Sequence, residues 1–78
     1  MSVQAYILIQ TEVGKASSVA KAVSAFAGVT IAEGVTGPYV VIMRAESASM
    51  EDLGRTVLAK VQGVPGITRT LTCPVTTY

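Results

Sequence analysis

The sequence predicts an α+β fold whose elements follow the order β-α-β-β-α-β. Four segments rich in β-branched and aromatic residues alternate with two segments that carry apolar residues at helical spacing. A glycine-proline turn joins the second and third predicted strands, and each predicted helix is followed by a Gly-Val pair. The two halves are therefore alike, which is typical of the ferredoxin-like sandwich, a four-stranded antiparallel sheet with both helices on one face.

The first predicted strand covers residues 3–10. One of its faces carries Val3, Ala5, Ile7 and Ile9, and the other carries Tyr6 and Leu8. A strand that is apolar on both faces is covered on both faces, so we expect a central position in the sheet. The first predicted helix covers residues 15–27, with an apolar stripe formed by Val19, Ala22, Val23 and Phe26.

The middle of the chain predicts a hairpin between strands at residues 29–35 and 39–46. Gly37 supplies backbone freedom and Pro38 fixes its own φ, so the chain reverses here. We expect one face of the first of these strands to carry Val29, Ile31 and Val35. The second of them is apolar on both faces, with Tyr39, Val41, Met43 and Ala45 opposed to Val40, Ile42 and Arg44.

The last two elements are a helix that ends near residue 62 and a strand over residues 67–75. Ser49 is the predicted N-cap, and the predicted buried stripe of the helix is Met50, Leu53, Val57 and Val61. Pro74 cannot donate to a strand ladder, which predicts an edge position for the strand. Its two faces are expected to carry Ile67, Leu71, Cys73 and Val75, and Thr68, Thr70 and Thr72. Residues 76–78 are expected to form a short tail.

Both helices on one face leave the other face of the sheet bare. Its predicted content is Gln4, Tyr6, Leu8, Gln10, Val40, Ile42, Arg44, Thr68, Thr70 and Thr72. Half of the chain is hydrophobic (50%) and only 14% is charged, which is more apolar surface than 78 residues hide in one small domain. We therefore predict at least a dimer through this face, with a subunit interface that includes Tyr6, Leu8, Val40, Ile42 and Arg44.

Side chains that most enzymes use for catalysis are sparse. The chain has no histidine and one cysteine, Cys73, which excludes a thiolate-imidazole nucleophile and the usual zinc sites. Only two carboxylates are adjacent, Glu51 and Asp52, and a helix start explains both. We therefore predict no catalytic residue, no metal site and no cofactor.

Charge and hydropathy argue against a nucleic-acid-binding protein and against a membrane-spanning protein. The six basic residues are scattered and the net charge is +1, whereas binding to phosphate backbones needs a clustered basic face. No apolar run approaches the roughly 18 residues of a membrane-spanning helix, and the N-terminus lacks the basic segment of a signal peptide. A single cysteine permits no intrachain disulfide, which fits a cytoplasmic protein.

Several side chains keep two interpretations each. Cys73 is either a small buried hydrophobe or a reactive thiol. Arg44 either forms an ion pair between subunits, with Glu33 or Glu46, or clamps a ligand carboxylate. The threonine row is either solvated or faces a small polar ligand. Two aromatic side chains either pack or hydrogen-bond a ligand, namely Tyr6 and Tyr39.

Three segments resemble the Lrp/AsnC effector domain, also called the RAM domain. They are Thr36-Gly37-Pro38-Tyr39, Gly63-Val64-Pro65-Gly66-Ile67 and Thr68-Arg69-Thr70-Leu71-Thr72. The resemblance covers essentially the whole chain and agrees with the β-α-β-β-α-β order. In full-length regulators of this family a helix-turn-helix domain precedes the effector domain. Because the first predicted strand begins at Val3, we expect a stand-alone effector domain over residues 1–78 without that DNA-binding part.

The resemblance implies sheet-to-sheet dimers that assemble into octamers or similar rings. It also implies a small effector, typically an amino acid, bound between dimers near the hairpin and the last strand. The ligand-binding candidates by position are Val35, Thr36, Gly37, Pro38, Tyr39, Thr68, Thr70 and Thr72. Val40 stands where the family commonly has an aspartate, and a valine neither accepts a hydrogen bond nor balances a cation.

Three hypotheses of function follow. The leading one is an oligomeric, non-enzymatic module that binds an amino-acid-type effector. The second is a partner subunit that co-assembles with full-length Lrp/AsnC regulators. The third is a small dimeric α/β-barrel enzyme, a class that usually needs a histidine or a cofactor grip.

Overall fold

The computed structural model describes residues 3–76 and has the predicted order of elements. The tail predicted at residues 76–78 lies mostly outside this range. The strands are β1 (Val3–Thr11), β2 (Val29–Gly34), β3 (Val41–Ser47) and β4 (Ile67–Pro74). The first helix, α1, is Ala16–Ser24. The second, α2, runs over residues 50–62 and has a π-helical middle, Leu53–Leu58, between α-helical ends.

The four strands form one antiparallel sheet in the order β2-β3-β1-β4. The predictions that β1 is central and that β4 is an edge strand are therefore confirmed. Both helices pack on one face of this sheet. Their contact with β1 and β3 forms the core, whose fully buried side chains are Ala5, Ile7, Ile9, Val19, Val23, Val41, Met43, Ala45, Leu53, Val57 and Val61.

The first turn of α2 begins as the sequence predicts. The Ser49 hydroxyl accepts a hydrogen bond from the backbone N–H of Asp52 at 3.1 Å, which satisfies one of the free amides at the helix start. Met50, by contrast, is 42% exposed, so its predicted place in the buried stripe is wrong. Three α-helical residues turn through about 300°, which rotates Met50 about 60° away from Leu53.

Loss of this cap should be measurable. We expect Ser49→Ala to lower the free energy of unfolding by about 1 kcal/mol, because the Asp52 amide loses its acceptor. Chemical denaturation followed by circular dichroism measures the change. Ser17→Ala is the matched control, since Ser17 is an exposed serine inside α1. An equal loss in the two variants would show that the cap contributes nothing specific.

Strand β2 differs from the prediction in which side chains share a face. The pairing with β3 shifts between Val29 and Ile31, so Val29 lies opposite Ala45 whereas Ile31 lies opposite Arg44. Val29 consequently packs against the core and Ile31 is 50% exposed on the other face. The expectation that Val29 and Ile31 share a face is wrong because this irregularity breaks the two-residue alternation.

Strand β4 also presents the opposite faces to those predicted. Thr70 lies opposite Ile9 and Thr72 opposite Ile7, on the face that the helices cover. Leu71 lies opposite Leu8 on the uncovered face and is 46% exposed. The pairing shifts between Gln10 and Thr11, so Ile67 returns to the core side although it is separated from Leu71 by an even number of positions.

We call the uncovered side of the sheet the open face. By strand register it consists of Gln4, Tyr6, Leu8, Gln10, Ile31, Glu33, Ile42, Arg44, Glu46, Arg69, Leu71 and Cys73. Three of these are large hydrophobic side chains that are about half exposed, namely Tyr6 (42%), Ile31 (50%) and Leu71 (46%). In the part of the chain that the structure describes, no helix has both the length and the apolar character that crossing a membrane requires.

Candidate functional site

The predicted site residues at 35–39 lie in the loop that connects β2 to β3. The loop is closed at its base by a hydrogen bond from the Val35 amide to the Val40 carbonyl, at 2.9 Å. Gly37 has a φ of +152°, which confirms the predicted need for a glycine in the reversal. Residues 35–38 are exposed and Tyr39 is half-buried. The hairpin therefore presents its backbone and the Thr36 hydroxyl to solvent from a base fixed in the sheet.

Gln10 connects this hairpin to the last strand. Its side-chain Nε2 donates to the Pro38 carbonyl at 3.2 Å, and its backbone carbonyl accepts from the Thr68 hydroxyl at 3.1 Å. A further bond, from the Val40 amide to the Ile9 carbonyl at 3.0 Å, ties the hairpin to β1. The end of β1 thus joins two segments that the sequence predicted separately as parts of the site.

Sequence reasoning placed Gln10 on the bare face but did not include it in the site. The contact joins residues 28 positions apart, and no local pattern reveals such a contact. One signal was available. Gln10 is a polar residue directly after the apolar run of residues 5–9, near the end of the central strand, and its amide side chain can both donate and accept hydrogen bonds.

The threonine row is divided by the register of β4. Thr68 is exposed, and its hydroxyl is bound to Gln10 at the hairpin end of the sheet. Thr70 and Thr72 are half-buried on the helix side of the sheet, so the prediction that all three line the bare face is wrong for these two. The structure therefore groups Thr68 with the hairpin, and ligand binding by any of the three stays a prediction.

The guanidinium of Arg44 is held by neutral groups of its own chain. Its Nη2 donates to Gln4 Oε1, and its Cζ lies 5.6 Å from the centroid of the Tyr6 ring. Within residues 3–76 the single ion pair joins Arg55 to Glu51, at 2.7 Å on the exposed side of α2. The alternatives of a subunit ion pair and a carboxylate clamp at Arg44 both stay predictions.

Two further expectations change at this surface. Cys73 is exposed on the open face beside Tyr6, so within the single chain it is not a small buried hydrophobe. Val40 is half-buried and packs against the core cluster, whereas it was expected on the bare face. A residue just before β3 adjoins both the hairpin and the core, which explains the difference.

A separate groove lies on the helix side, between α1 and β2. Its volume is about 460 Å³, and its walls are formed by Ala16, Ser17, Ala20, Lys21, Ser24, Ala32 and Gly34. None of the predicted ligand-binding residues lines it. Small side chains leave this groove wide and shallow, and Lys21 is the charged group among the described residues that form its walls.

Removing the amide of Gln10 should loosen the hairpin. We expect Gln10→Met to cost less than about 1 kcal/mol of global stability, because the lost hydrogen bond is exposed. The hairpin amides of Val35 and Val40 should exchange with solvent several-fold faster, as measured by hydrogen exchange with NMR detection. Gln62→Met, at an exposed position on α2, is the control. Unchanged exchange in the hairpin would show that Gln10 does not hold it.

Comparison with known families and structures adds an independent observation. Residues 4–77 match the family model described as the Lrp/AsnC ligand binding domain. A hypothetical protein from Pyrococcus horikoshii is 30% identical, with a TM-score of 0.87 over 97% of this chain and 92% of that one. No match was found among curated protein sequences.

Two larger proteins share the fold. The AsnC structure from E. coli has a TM-score of 0.87 at 23% identity, over 97% of this chain and 52% of that one. A transcriptional regulator from Neisseria meningitidis, solved as a complex with L-Met, has a TM-score of 0.80 at 19% identity. That match covers 96% of this chain and 50% of the regulator. The chain thus spans about half the length of each of these two proteins.

Proposed function

Because the chain belongs to the family of Lrp/AsnC ligand binding domains, we propose that it is a module that binds a small amino-acid-type effector at the hairpin end of its sheet. The family is a regulatory, ligand-binding one, so the proposed function includes no catalytic activity. The observation that carries the proposal is the pair of hydrogen bonds made by Gln10 on the central strand β1. They connect the β2–β3 hairpin to Thr68 on the edge strand β4.

The groups at this end suit a small polar ligand. Hydroxyls are supplied by Thr36 and Thr68, and the exposed hairpin backbone offers amides and carbonyls. An α-carboxylate needs such donors, and an α-ammonium needs carbonyl or carboxylate acceptors. The side chain of Val40 supplies no acceptor, so we propose that backbone carbonyls and the Oε1 of Gln10 accept the hydrogen bonds of an α-ammonium group. A ligand of this chemistry fits a relative that was solved with L-Met.

We also propose that the module works as an oligomer. At the centre of the open face lie the side chains of Tyr6, Leu8 and Ile42, whose apolar surface is unfavourable to expose to water. Packing two open faces together would cover it and give a dimer, and association of dimers into an octamer or similar ring would place effector sites at the seams. We place this assembly in the cytoplasm, since the single cysteine allows no intrachain disulfide.

A screen of the twenty standard amino acids tests the proposal. We expect at least one to raise the melting temperature and to give saturable heat in titration calorimetry. Thr68→Val should weaken that binding about fivefold or more, because a polar ligand loses a hydroxyl partner. Thr30→Val, at an exposed threonine on β2, should leave the affinity unchanged.

Two results would contradict the proposal. One is the absence of any binding across the screen at millimolar concentration. The other is an equal loss of affinity in the Thr68 and Thr30 variants, which would place the ligand elsewhere on the molecule.

A further inference from the structure

We propose that two copies pack open face to open face about a two-fold axis parallel to the strands, with Glu33 of each copy paired to Arg69 of the other. The inference rests on the dimer of the proposed function. It adds which sheet edge meets which, and it assigns an ion pair to each of the two seams.

The open face carries opposite charges on its two edges. Glu33, on edge strand β2, lies opposite Ile42, which lies opposite Leu8, which in turn lies opposite Leu71 on the other edge strand. Arg69 is two residues from Leu71 on β4, opposite Gln10. The acidic edge and the basic edge therefore both place their charge near the hairpin end of the sheet.

These two charges are too far apart to meet within one chain. Three strand spacings separate β2 from β4, which is about 14 Å, and the two-residue offset of Arg69 raises the Cα separation to about 16 Å. Both side chains project from the same face, with Ile42 and Leu8 between them. Neither residue takes part in an ion pair within residues 3–76. Each is a charge on a partly apolar surface, and burying that surface requires a partner of opposite sign.

A two-fold axis parallel to the strands supplies that partner. Such a rotation exchanges the two edges but keeps the hairpin ends together, so β2 of one copy lies over β4 of the other. With sheets about 10 Å apart and a rise of about 3.3 Å per residue, the Cα atoms of Glu33 and the second copy's Arg69 are about 12 Å apart. Extended glutamate and arginine side chains span that distance.

The alternative in-plane axis, perpendicular to the strands, does not fit the charges. It would place β2 over β2 and β4 over β4, so that Glu33 and Arg69 would lie at opposite edges of the interface. It would also bring each hairpin end over the opposite end of the second sheet. Charge complementarity thus selects the axis parallel to the strands.

The rest of the open face agrees with an interface of this kind. Tyr6, Leu8 and Ile42 lie at its centre on β1 and β3, flanked by Ile31 and Leu71 on the edge strands. The charges of Glu33 and Arg69 lie on the edges, and that of Glu46 lies at the end of β3 away from the hairpin. An apolar centre with a charged rim is the usual anatomy of a protein interface. Arg44, near the centre, already has Gln4 and Tyr6 as partners in its own chain, so it enters the interface compensated.

Charge reversal tests the pairing. Glu33→Arg and Arg69→Glu each place like charges at both seams, so each should raise the dimer dissociation constant about tenfold at low salt. The double variant restores opposite charges and should return to within about threefold of the wild type. Glu12→Arg, which reverses an exposed carboxylate outside the open face, should leave the constant unchanged. Sedimentation velocity over a concentration series, at low and at high salt, measures the wild type and every variant.

The outcomes separate the pairing from the dimer itself. A wild type that stays monomeric at all concentrations overturns the dimer of the proposed function and the pairing with it. A dimeric wild type whose single reversals associate normally, or whose double variant fails to recover, overturns the Glu33–Arg69 pairing alone. If a reversal prevents folding, judged by circular dichroism, then Glu33→Gln and Arg69→Gln serve instead. Both should lower the salt dependence of dimerisation, and an unchanged salt dependence would refute the pairing.

Discussion

Leu53→Ala should lower the free energy of unfolding by about 2–5 kcal/mol. Leu53 is fully buried in the π-helical part of α2, where it packs into the core against the sheet. Truncation removes apolar contacts and leaves a cavity that a tightly packed small domain only partly refills. A domain of this size has a total stability of roughly 4–12 kcal/mol, so the loss should be a large fraction of the total.

Met50→Ala provides the matched control for Leu53→Ala. Both residues lie in the first part of α2, but Met50 is 42% exposed, so its loss should cost less than about 1 kcal/mol. Urea denaturation at one fixed protein concentration measures both, because self-association would otherwise change the apparent stability. Similar losses in the two variants would mean that α2 is rotated relative to the arrangement described above.

Gly28→Ala should cost about 1–3 kcal/mol through backbone strain and a steric clash. Gly28 has a φ of +90°, and a Cβ there would lie 3.0 Å from the Glu46 carbonyl oxygen and 3.4 Å from Val57 Cγ2. The same glycine accepts a 2.7 Å hydrogen bond from the Glu46 amide, so moving away from the clash would weaken that bond. Thermal unfolding of the variant measures the loss.

Gly14→Ala separates the two causes. Gly14 has a φ of +81°, and a Cβ on this residue would have no neighbouring atom within 4 Å, so an alanine there meets the unfavourable φ without a clash. We expect a cost of about 1 kcal/mol, smaller than at Gly28. If Gly14→Ala proved as damaging as Gly28→Ala, the close approach of Gly28 to β3 would not be what limits that site.

The central part of the fold was predictable because its local signals agree with its environment. Residues of β1 and β3 are apolar on both faces, Pro74 marks an edge strand, and Ser49 caps a helix through a contact only three positions away. Each of these signals depends on short-range chemistry that holds in any fold. Element order and the central pair of strands follow directly from them.

The faces of the edge strands were not predictable in the same way. Alternation identifies the core side of a strand only when its other side is polar. In β4 the more apolar set, Leu71 and Cys73, lies on the open face, and the half-buried threonines Thr70 and Thr72 lie under the helices. The irregular pairing at Val29/Ile31 and at Gln10/Thr11 adds a shift in strand register that the residue pattern does not predict.

The candidate site shows the same division between local and distant information. The hairpin turn is encoded by Gly37 and Pro38, and the sequence located it correctly. Gln10 belongs to the site only because β1 runs between the hairpin and Thr68 in the folded sheet. Such a juxtaposition depends on the order of the strands in the sheet, which the local residue pattern does not reveal.

The pairing of β1 with β4 has a consequence for how the chain folds. Ala5 lies opposite Pro74, so the two strands that complete the sheet come from opposite ends of the described sequence. Contacts of such high sequence separation slow folding, because a long loop closes before the contacts stabilise it. During synthesis β1 should remain without its β4 partner until β4 leaves the ribosome, so we expect the β1–β4 ladder to form after the β1–β3 ladder.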